Sequence, residues 1–257
     1  MMVAQDAWQT LTAELDAWHA ANLKATFWWR DDDAIEPTPA LDRMLELSAQ
    51  FAVPLGLAVI PVPSTAALRE RLVPQSTVDV LQHGYIHKNH APQGARAAEF
   101  GPERSLALRL AEQADGWARL SAIPRRVPIF VPPWNRYDQQ LASGFTTQGI
   151  SAVSAFGPAG QLPSPIVECN CHVDIISWRT TRGFAGVEKS VKKIVDHLQA
   201  RRTGTQPLAE ATGILSHHLV HDEGCWAFLT TLFEQTGRHS SARWLRPMAA
   251  VMRTGTT

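Results

Sequence analysis

A predicted strand reads Lys24-Ala-Thr-Phe-Trp-Trp-Arg-Asp-Asp-Asp-Ala34, and it ends in three consecutive carboxylates. Its apolar, aromatic first half is typical of a buried strand, so core residues bring three like charges to one point. Carboxylates this close repel one another unless a cation neutralises them or one of them works as a proton acceptor. A solvated acidic turn that closes the strand is the alternative, and the histidines further along the chain decide between the two.

Helical and strand-like segments alternate on both sides of this strand. An amphipathic helix is predicted at 7–20, and residues 54–60 form a continuous apolar run, as in a strand buried on both faces of a parallel sheet. The alternation repeats about six or seven times and predicts an α/β fold, a deformed (β/α) barrel of about seven parallel strands that is similar to a TIM barrel. Further strands are predicted at 76–82, 127–131, 150–153, 166–169, 172–176 and 213–216.

The composition excludes several classes of partner. The 257 residues are 45% hydrophobic and 19% charged, which is enough apolar material for a large core. Lys plus Arg and Asp plus Glu each number 24, so no net field attracts the protein to nucleic acid or to an anionic membrane. Neither an export signal nor a bilayer-spanning segment is recognisable, and three cysteines are too few for a disulfide framework. We expect a cytoplasmic protein with no nucleic-acid partner and no membrane span.

Polar clusters follow the predicted strands. In barrels of parallel strands the active site is built at the carboxyl ends of the strands, so these clusters are expected to meet. His83 and His87 are four residues apart, a spacing that suits one metal ion, although surface histidines also occur at this spacing. Asp32 or Asp33 would complete a set of two histidines and one carboxylate. The clusters lie at 31–33, 83–90, 132–136, 172–174 and 217–222.

Five short motifs resemble, in order, those of the polysaccharide deacetylase superfamily of metal-dependent carbohydrate esterases. They are Arg30-Asp-Asp-Asp-Ala34, His83-Gly-Tyr-Ile-His87, Phe130-Val-Pro-Pro-Trp-Asn135, residues 174–178, and Ile214-Leu-Ser-His-His218. The resemblance covers about residues 24–235. It implies that residues 1–257 form a single catalytic domain of this kind.

The resemblance implies a role for the first three motifs. Aligned on the small residue Ala34, Asp32 is the general base, and Asp33 binds the metal together with His83 and His87. One divalent ion is implied, zinc first, with cobalt, iron, manganese and nickel as alternatives. The third motif is expected to bind substrate and to supply a backbone N–H to the oxyanion through Pro133, Trp134 and Asn135.

The last two motifs supply a proton donor and its supports. His217 and His218 both fit the pattern of the catalytic acid, and since neighbours on a strand point to opposite faces, only one of them faces the site. We expect His218, with His217 as the alternative and His221 as a weaker third candidate. Asp174, Trp178 and Arg136 are expected to support the site, while His172 is a weaker candidate beside Asp174.

Two positions depart from the motifs of the family. Val131 stands where an arginine usually orients the base, and Arg136 or Arg30 would have to reach in instead. Gly84 replaces a Ser or Thr, which removes a hydrogen bond from the histidine loop. Asp31 is expected to order a loop rather than to bind metal. Cys169 and Cys171 are expected to pack in the core rather than to bind zinc.

The resemblance implies removal of an acetyl group from an N-acetylated sugar or glycoconjugate by metal-activated water. The substrate is expected to be a small molecule or an oligosaccharide. Hydrolysis of another non-peptide C–N bond is one alternative. A catalytically silent carbohydrate-binding barrel is the other, and the missing arginine of the third motif supports it.

Overall fold

The computed structural model of the chain describes residues 2–160, 162 and 165–255. Within these residues, α-helices and β-strands alternate as the sequence predicts. The strands are β1 Ala25–Ala34, β2 Leu55–Val59, β3 Val78–His83, β4 Arg126–Val131, β5 Ala152–Val153, β6 Val167–Glu168, β7 Val173–Asp174, β8 Thr212–Ser216 and β9 Ala242–Trp244. The helices are α1 Met2–Ala20, α2 Pro39–Phe51, α3 Ala66–Leu72, α4 Leu106–Arg119, α5 Ala142–Phe145, α6 Val187–Arg202, α7 Glu223–Arg238 and α8 Pro247–Thr254.

The strands form one parallel sheet with β1 near its middle. Its order is β6-β5-β4-β3-β2-β1-β8-β7, and β9 pairs with the start of β1. The stretch that contains β6 and β7 hydrogen-bonds to both ends of the sheet: Cys171 N donates to Ala155 O, and His172 N donates to Gly213 O. These bonds curl the sheet, which confirms the predicted α/β fold of the deformed, TIM-like barrel type.

The core lies on both faces of β1, because its consecutive tryptophans point to opposite sides. Trp29 packs among the apolar residues of α1, α2, α6 and α7, and its indole N–H donates to Ser216 Oγ at 2.8 Å. Trp28 packs with Leu81, Leu215 and other strand residues, and its indole N–H donates to Asn170 O at 3.2 Å. Both rings are fully buried, which explains the continuous apolar character of this strand.

The last two elements, β9 and α8, were not predicted. The side chains of β9 are exposed or only partly buried, so they carry no apolar pattern that would reveal a strand. The predicted loop at 157–165 contains neither helix nor strand in its described part, and residues 161, 163 and 164 lie outside the described residues. No helix in the described part of the chain has the length and apolar character needed to cross a membrane. The cytoplasmic location stays a prediction.

The three cysteines are buried and free, as expected of core residues. Cys169 and Cys171 pack beside Trp28. Burial raises the pKa of the Cys171 thiol to about 12, although Arg30 opposes the shift. A thiol in this state is a small apolar side chain rather than a thiolate ligand, in agreement with the expected packing role.

A close approach of neighbouring backbone to Gly213 gives a test of the fold. A Cβ atom at Gly213 would lie 2.5 Å from Trp28 Nε1, 2.6 Å from Asn170 O and 2.7 Å from Cys171 Cα. We expect Gly213→Ala to lower the free energy of unfolding by about 1–3 kcal/mol, because two of these atoms belong to the backbone. The measurement is urea denaturation. Gly237→Ala on α7 is the matched control, since a Cβ there meets nothing within 4 Å; equal effects of the two changes would contradict the account.

Candidate active site

A cavity of about 920 Å³ opens at the carboxyl ends of the strands. Phe156 and three arginines that were not predicted, Arg96, Arg179 and Arg182, form part of its wall. Two predicted residues, Pro133 and His218, do not line it. The predicted residues that line it are Asp32, Asp33, His83, His87, Trp134, Asn135, Arg136, Asp174, Trp178 and His217.

A β-bulge at the end of β1 lets neighbouring aspartates face the same cavity. The pairing of β1 with β2 is regular up to Asp31 and shifts before Ala34. Asp33 has φ +74°, outside the conformation of a strand. Regular alternation would send Asp32 and Asp33 to opposite faces, and the bulge removes this restriction.

Strained backbone is concentrated around the cavity. Non-glycine residues at positive φ are rare because the side chain crowds the backbone, at a cost of about 1–2 kcal/mol each. Eight such residues occur in the described part of the chain, and five of them line the cavity. Such a concentration is typical of a functional site. The five are Asp33, His87, Trp134, Asn135 and Arg182.

Asp33, His83 and His87 form a cluster with the donor atoms of a metal site. His83 Nε2 lies 3.0 Å and His87 Nε2 lies 3.4 Å from Asp33 Oδ1. His83 Nδ1 lies 3.1 Å from Val131 O, and because a carbonyl oxygen only accepts, Nδ1 carries a proton. Nε2 of a neutral His83 therefore turns a lone pair toward a carboxylate. The contact requires positive charge, either a second proton or a cation.

The charges of this cluster agree with that requirement. Burial opposes ionisation of Asp33, but the hydrogen bond and charge of His83 outweigh it and hold the pKa of Asp33 well below its usual range. Burial also opposes the charged form of His83, but Asp32 and Asp33 raise its pKa. The pKa of His87 is lowered by burial and by His83. The three donor atoms thus lie in a field that favours a cation.

A second cluster contains the same residue types but differs in its hydrogen bonds. Gly213 N–H donates to His172 Nδ1 at 3.0 Å, so the neutral ring carries its proton on Nε2 and donates to Glu210 Oε1 at 3.1 Å. The hydrogen bond between His172 and Glu210 needs no cation, whereas Glu210 Oε2 and His197 Nε2, 3.6 Å apart, have no hydrogen-bond partner in the described part of the chain. His197 stacks on His172 with ring centroids 3.7 Å apart. His172 thus pairs with Glu210 beside the start of β8, whereas Asp174 reaches the cavity.

Arg30 contacts Asp32 from the same strand. Its Nε lies 2.9 Å from Asp32 Oδ1, and its Nη2 donates to Asp32 Oδ2 at 3.0 Å. Burial disfavours the guanidinium charge, but Asp32 raises the pKa of Arg30. The guanidinium also donates to Ser154 O at 2.7 Å and to Asn135 Oδ1 at 2.6 Å. Of the two arginines considered for the place left by Val131, Arg30 reaches Asp32.

Arg136 lines the cavity but forms no ion pair with Asp32 in the described part of the chain, and its Nη1 donates to Ala97 O at 3.0 Å.

His217 rather than His218 lines the cavity. His217 Nε2 lies 3.9 Å from Asp32 Oδ2, and its ring packs edge-on against Trp178 at 4.7 Å. Asp174 accepts from Trp178 Nε1 at 2.8 Å, which fixes that indole. The structure therefore places His217 at the cavity in place of the preferred His218, because β8 ends at Ser216 and His218 begins the helical turn that follows the strand.

His218 lies behind the cavity and pairs with Asp31. Its Nδ1 lies 2.6 Å from Asp31 Oδ1, and its backbone N–H and Ser216 Oγ both donate to Asp31 Oδ2. Both His218 and Asp31 are buried. Asp31 thus orders the turn after β8, as expected. His221 lies against Trp226, away from the lining, and burial lowers its pKa to about 4.

The loop between His83 and His87 is organised by a residue that the sequence did not reveal. The buried carboxylate of Glu99 accepts from the backbone N–H groups of Tyr85, Ile86 and Lys88 at 3.0, 2.9 and 3.3 Å. These three hydrogen bonds order the loop, although Gly84 brings no hydroxyl group to it. A lone glutamate in a polar loop has no periodicity or spacing that would have indicated this role.

Gly84 itself is required by the packing. It has φ +56°, and a Cβ atom there would overlap the Glu99 carboxylate and the Pro133 ring. Pro133 is therefore a buried support under the loop rather than part of the lining. Trp134, the next residue, packs its ring 4.4 Å from the ring of His87.

No protein-family model and no curated protein matches the sequence. Solved structures match it in three dimensions. A protein from Mycobacterium smegmatis assigned as a polysaccharide deacetylase has a TM-score of 0.65 at 12% identity, over 91% of each chain. The family 4 acetyl xylan esterase from Clostridium thermocellum, described in complex with a cobalt ion, has a TM-score of 0.52 at 12% identity, over 90% of this chain and 95% of the esterase.

A 4-alpha-glucanotransferase from Thermococcus litoralis also matches, with a TM-score of 0.54 at 9% identity, over 90% of this chain and 40% of the transferase. Identities this low establish the fold and leave the reaction open, because one fold hosts several chemistries. The chain has the fold of the polysaccharide deacetylases. The resemblance of the five motifs is confirmed at the level of the fold.

The buried ion pair gives a test of how this site is held together. We expect Arg30→Met to lower the free energy of unfolding by about 3–5 kcal/mol, because Asp32 is left buried without its counter-charge. The double variant Arg30→Met, Asp32→Asn should lose less than Arg30→Met alone. Urea denaturation measures both. Arg43→Met, which breaks the exposed contact with Glu223, is the control and should cost at most about 1 kcal/mol. Additive effects of the two site changes would argue against direct coupling.

Proposed function

We propose that this protein is a metal-dependent hydrolase that removes the acetyl group from an N-acetylated sugar or glycoconjugate. One observation carries the proposal: Asp33, His83 and His87 converge in a cavity with Asp32 and His217, and the proton on His83 Nδ1 leaves a lone pair facing the Asp33 carboxylate. The fold shared with the polysaccharide deacetylases supports the same reaction class.

Asp33, His83 and His87 would hold one divalent ion. Their carboxylate oxygen and imidazole nitrogens all lie within 4.8 Å of one another, a donor set that suits zinc, cobalt, iron, manganese or nickel. We propose zinc, with cobalt as the first alternative because the Clostridium thermocellum esterase is described with that ion. When bound, the ion would polarise the acetyl carbonyl and make water a stronger nucleophile.

The remaining steps belong to side chains of the cavity. Asp32, oriented by Arg30, accepts the proton of the attacking water. His217 donates a proton from Nε2 to the amine nitrogen as the C–N bond breaks, and Trp178 holds its ring in place. A backbone N–H near Trp134 stabilises the oxyanion. Residues 1–257 act as one catalytic domain in this account.

The alternatives differ in how well the geometry supports them. The alternative of a catalytically silent carbohydrate-binding barrel rests on Val131, which stands where the motif has an arginine that orients the base. The contact of Arg30 with Asp32 weakens this alternative, because Arg30 can orient the base instead. Hydrolysis of another non-peptide C–N bond uses the same base, acid and metal ligands. A substrate panel therefore includes amides other than N-acetyl sugars.

Two isosteric substitutions separate the base from the metal ligand. Asp32→Asn should keep about one equivalent of divalent metal and lower kcat by about 10²–10⁴-fold, because the proton acceptor is lost. Asp33→Asn should lose the metal and the activity together. Elemental analysis and acetate release from N-acetylhexosamines measure the two effects. His172→Gln, in the second cluster, should keep its metal. Full activity of Asp32→Asn would rule out this base.

The Glu99 carboxylate provides a second test through the loop that carries His87. Glu99→Gln places an amide N–H against backbone N–H groups, so we expect the loop to shift and metal affinity to fall about 10–100-fold. Metal titration measures the change, and excess metal should restore acetate release. The exposed Glu103→Gln in the same region is the matched control. Unchanged metal affinity in Glu99→Gln would show that the carboxylate does not position His87.

A further inference from the structure

Four arginines stand around the cavity: Arg96, Arg136, Arg179 and Arg182. Arg96 follows β3, Arg136 follows β4, and Arg179 and Arg182 follow β7, so they come from three separate loops. Arg136 is half-buried and the other three are exposed. None of them belongs to a motif that the sequence analysis singled out as chemical, apart from the supporting role expected of Arg136.

These arginines lack the carboxylate partners that many other arginines of this molecule have. None of the four has a nitrogen atom within 4.0 Å of an Asp or Glu carboxylate oxygen in the described part of the chain. The arginines outside the cavity lining that do have such a partner include Arg30, Arg43, Arg71, Arg104, Arg109, Arg119, Arg202 and Arg246.

The carboxylates that line the cavity already have hydrogen-bond or ion-pair partners. Asp32 contacts Arg30, and Asp33 contacts His83. Asp174 accepts from Trp178 Nε1 and from Ile176 N–H. In the described part of the chain, none of these carboxylates forms an ion pair with one of the four arginines.

Like charge and strained backbone both occur at this wall of the cavity. Burial lowers the pKa of Arg136, and the nearby positive charge of Arg96 lowers it further. Arg182 is held at φ +55°, a strained conformation for a side chain of this size. Like charges and strain at the wall of a cavity indicate a binding role more than a solvated surface.

Aromatic surface lines the same cavity. Phe156 and Trp178 are large apolar residues that are 41% and 39% exposed, and both line the cavity. An aromatic face packs against the apolar face of a sugar ring or of a base, while guanidinium groups pair with phosphate or carboxylate oxygens. The wall thus suits a ligand that has both kinds of surface.

We propose that the substrate is an anionic amino sugar, an N-acetylated sugar that carries a phosphate, a diphosphate or a carboxylate group, and that the four arginines bind this group. The inference rests on the proposed deacetylase function and names its substrate class. A neutral N-acetyl sugar would leave the four guanidinium charges without an anionic partner. The chain as a whole has no net charge, so attraction of an anion depends on this local cluster.

Matched substrates test the proposal. Acetate release is measured for N-acetylglucosamine, its 1-phosphate, its 6-phosphate, its uridine diphosphate derivative and the corresponding uronic acid. We expect kcat/KM for at least one anionic substrate to exceed that for the neutral sugar by about tenfold or more, and to fall with ionic strength. The preferred member identifies the anionic group.

Charge-removing variants assign the preference to the cavity. The double variant Arg179→Gln, Arg182→Gln should have a kcat/KM for the preferred anionic substrate about tenfold below that of the unchanged protein. The control is the double variant Arg238→Gln, Arg243→Gln, which removes the same charge from two exposed arginines outside the cavity lining. It should keep the preference for the anionic substrate over the neutral sugar. Equal loss in both double variants would overturn the proposal, because it would reflect net charge alone. Equal kcat/KM for neutral and anionic substrates would overturn it while leaving the deacetylase function intact.

Calorimetric binding separates this inference from the reaction. The deacetylated sugars, neutral and phosphorylated, are titrated into the metal-loaded protein. At least about tenfold tighter binding of a phosphorylated sugar, lost only in Arg179→Gln, Arg182→Gln, would support the anionic ligand even if no acetate were released. Equal affinity for neutral and phosphorylated sugars would overturn it.

Discussion

The buried contact between Arg30 and Asp32 holds the candidate site together. Both side chains are buried, and a charge in that position persists only when an opposite charge compensates it. The same guanidinium donates to Ser154 and Asn135, which follow β5 and β4. One side chain in the central strand therefore ties together the ends of three strands, and the direction of the Asp32 carboxylate depends on all of them.

Backbone conformation is the second constraint on the cavity. Asp33, His87, Trp134 and Asn135 all have positive φ, and surrounding packing has to hold them there. Glu99 supplies part of that support, because its carboxylate collects three backbone N–H groups of the histidine loop. The barrel core offsets this strain with continuous apolar strands and buried aromatic rings. The apolar core therefore stabilises a cavity rim whose backbone is strained.

The two histidine clusters show why residue type and distance do not define a metal site. Both contain two histidines and a carboxylate within 4.8 Å. At His172 a backbone N–H donates to Nδ1, so Nε2 carries the proton and donates directly to Glu210. At His83 a carbonyl accepts from Nδ1, so Nε2 of the neutral ring presents a lone pair to Asp33, and this contact requires a second proton or a cation. The backbone partner of each ring therefore decides whether the neutral ring alone satisfies its contact with the carboxylate.

The sequence by itself determined the order of strands and helices, the position of the central strand and the set of loops that meet at the cavity. Local patterns are sufficient for this, because a buried strand needs a continuous apolar run and the ends of parallel strands share one rim. Tertiary structure alone decided that His217 lines the cavity rather than His218, and that Arg30 rather than Arg136 contacts Asp32. It also placed Glu99 under the histidine loop and joined β9 to β1. These outcomes depend on the turn after β8 and on contacts between residues far apart in the chain, such as those of Arg30 with Asn135 and Ser154, and no local pattern of residues encodes them.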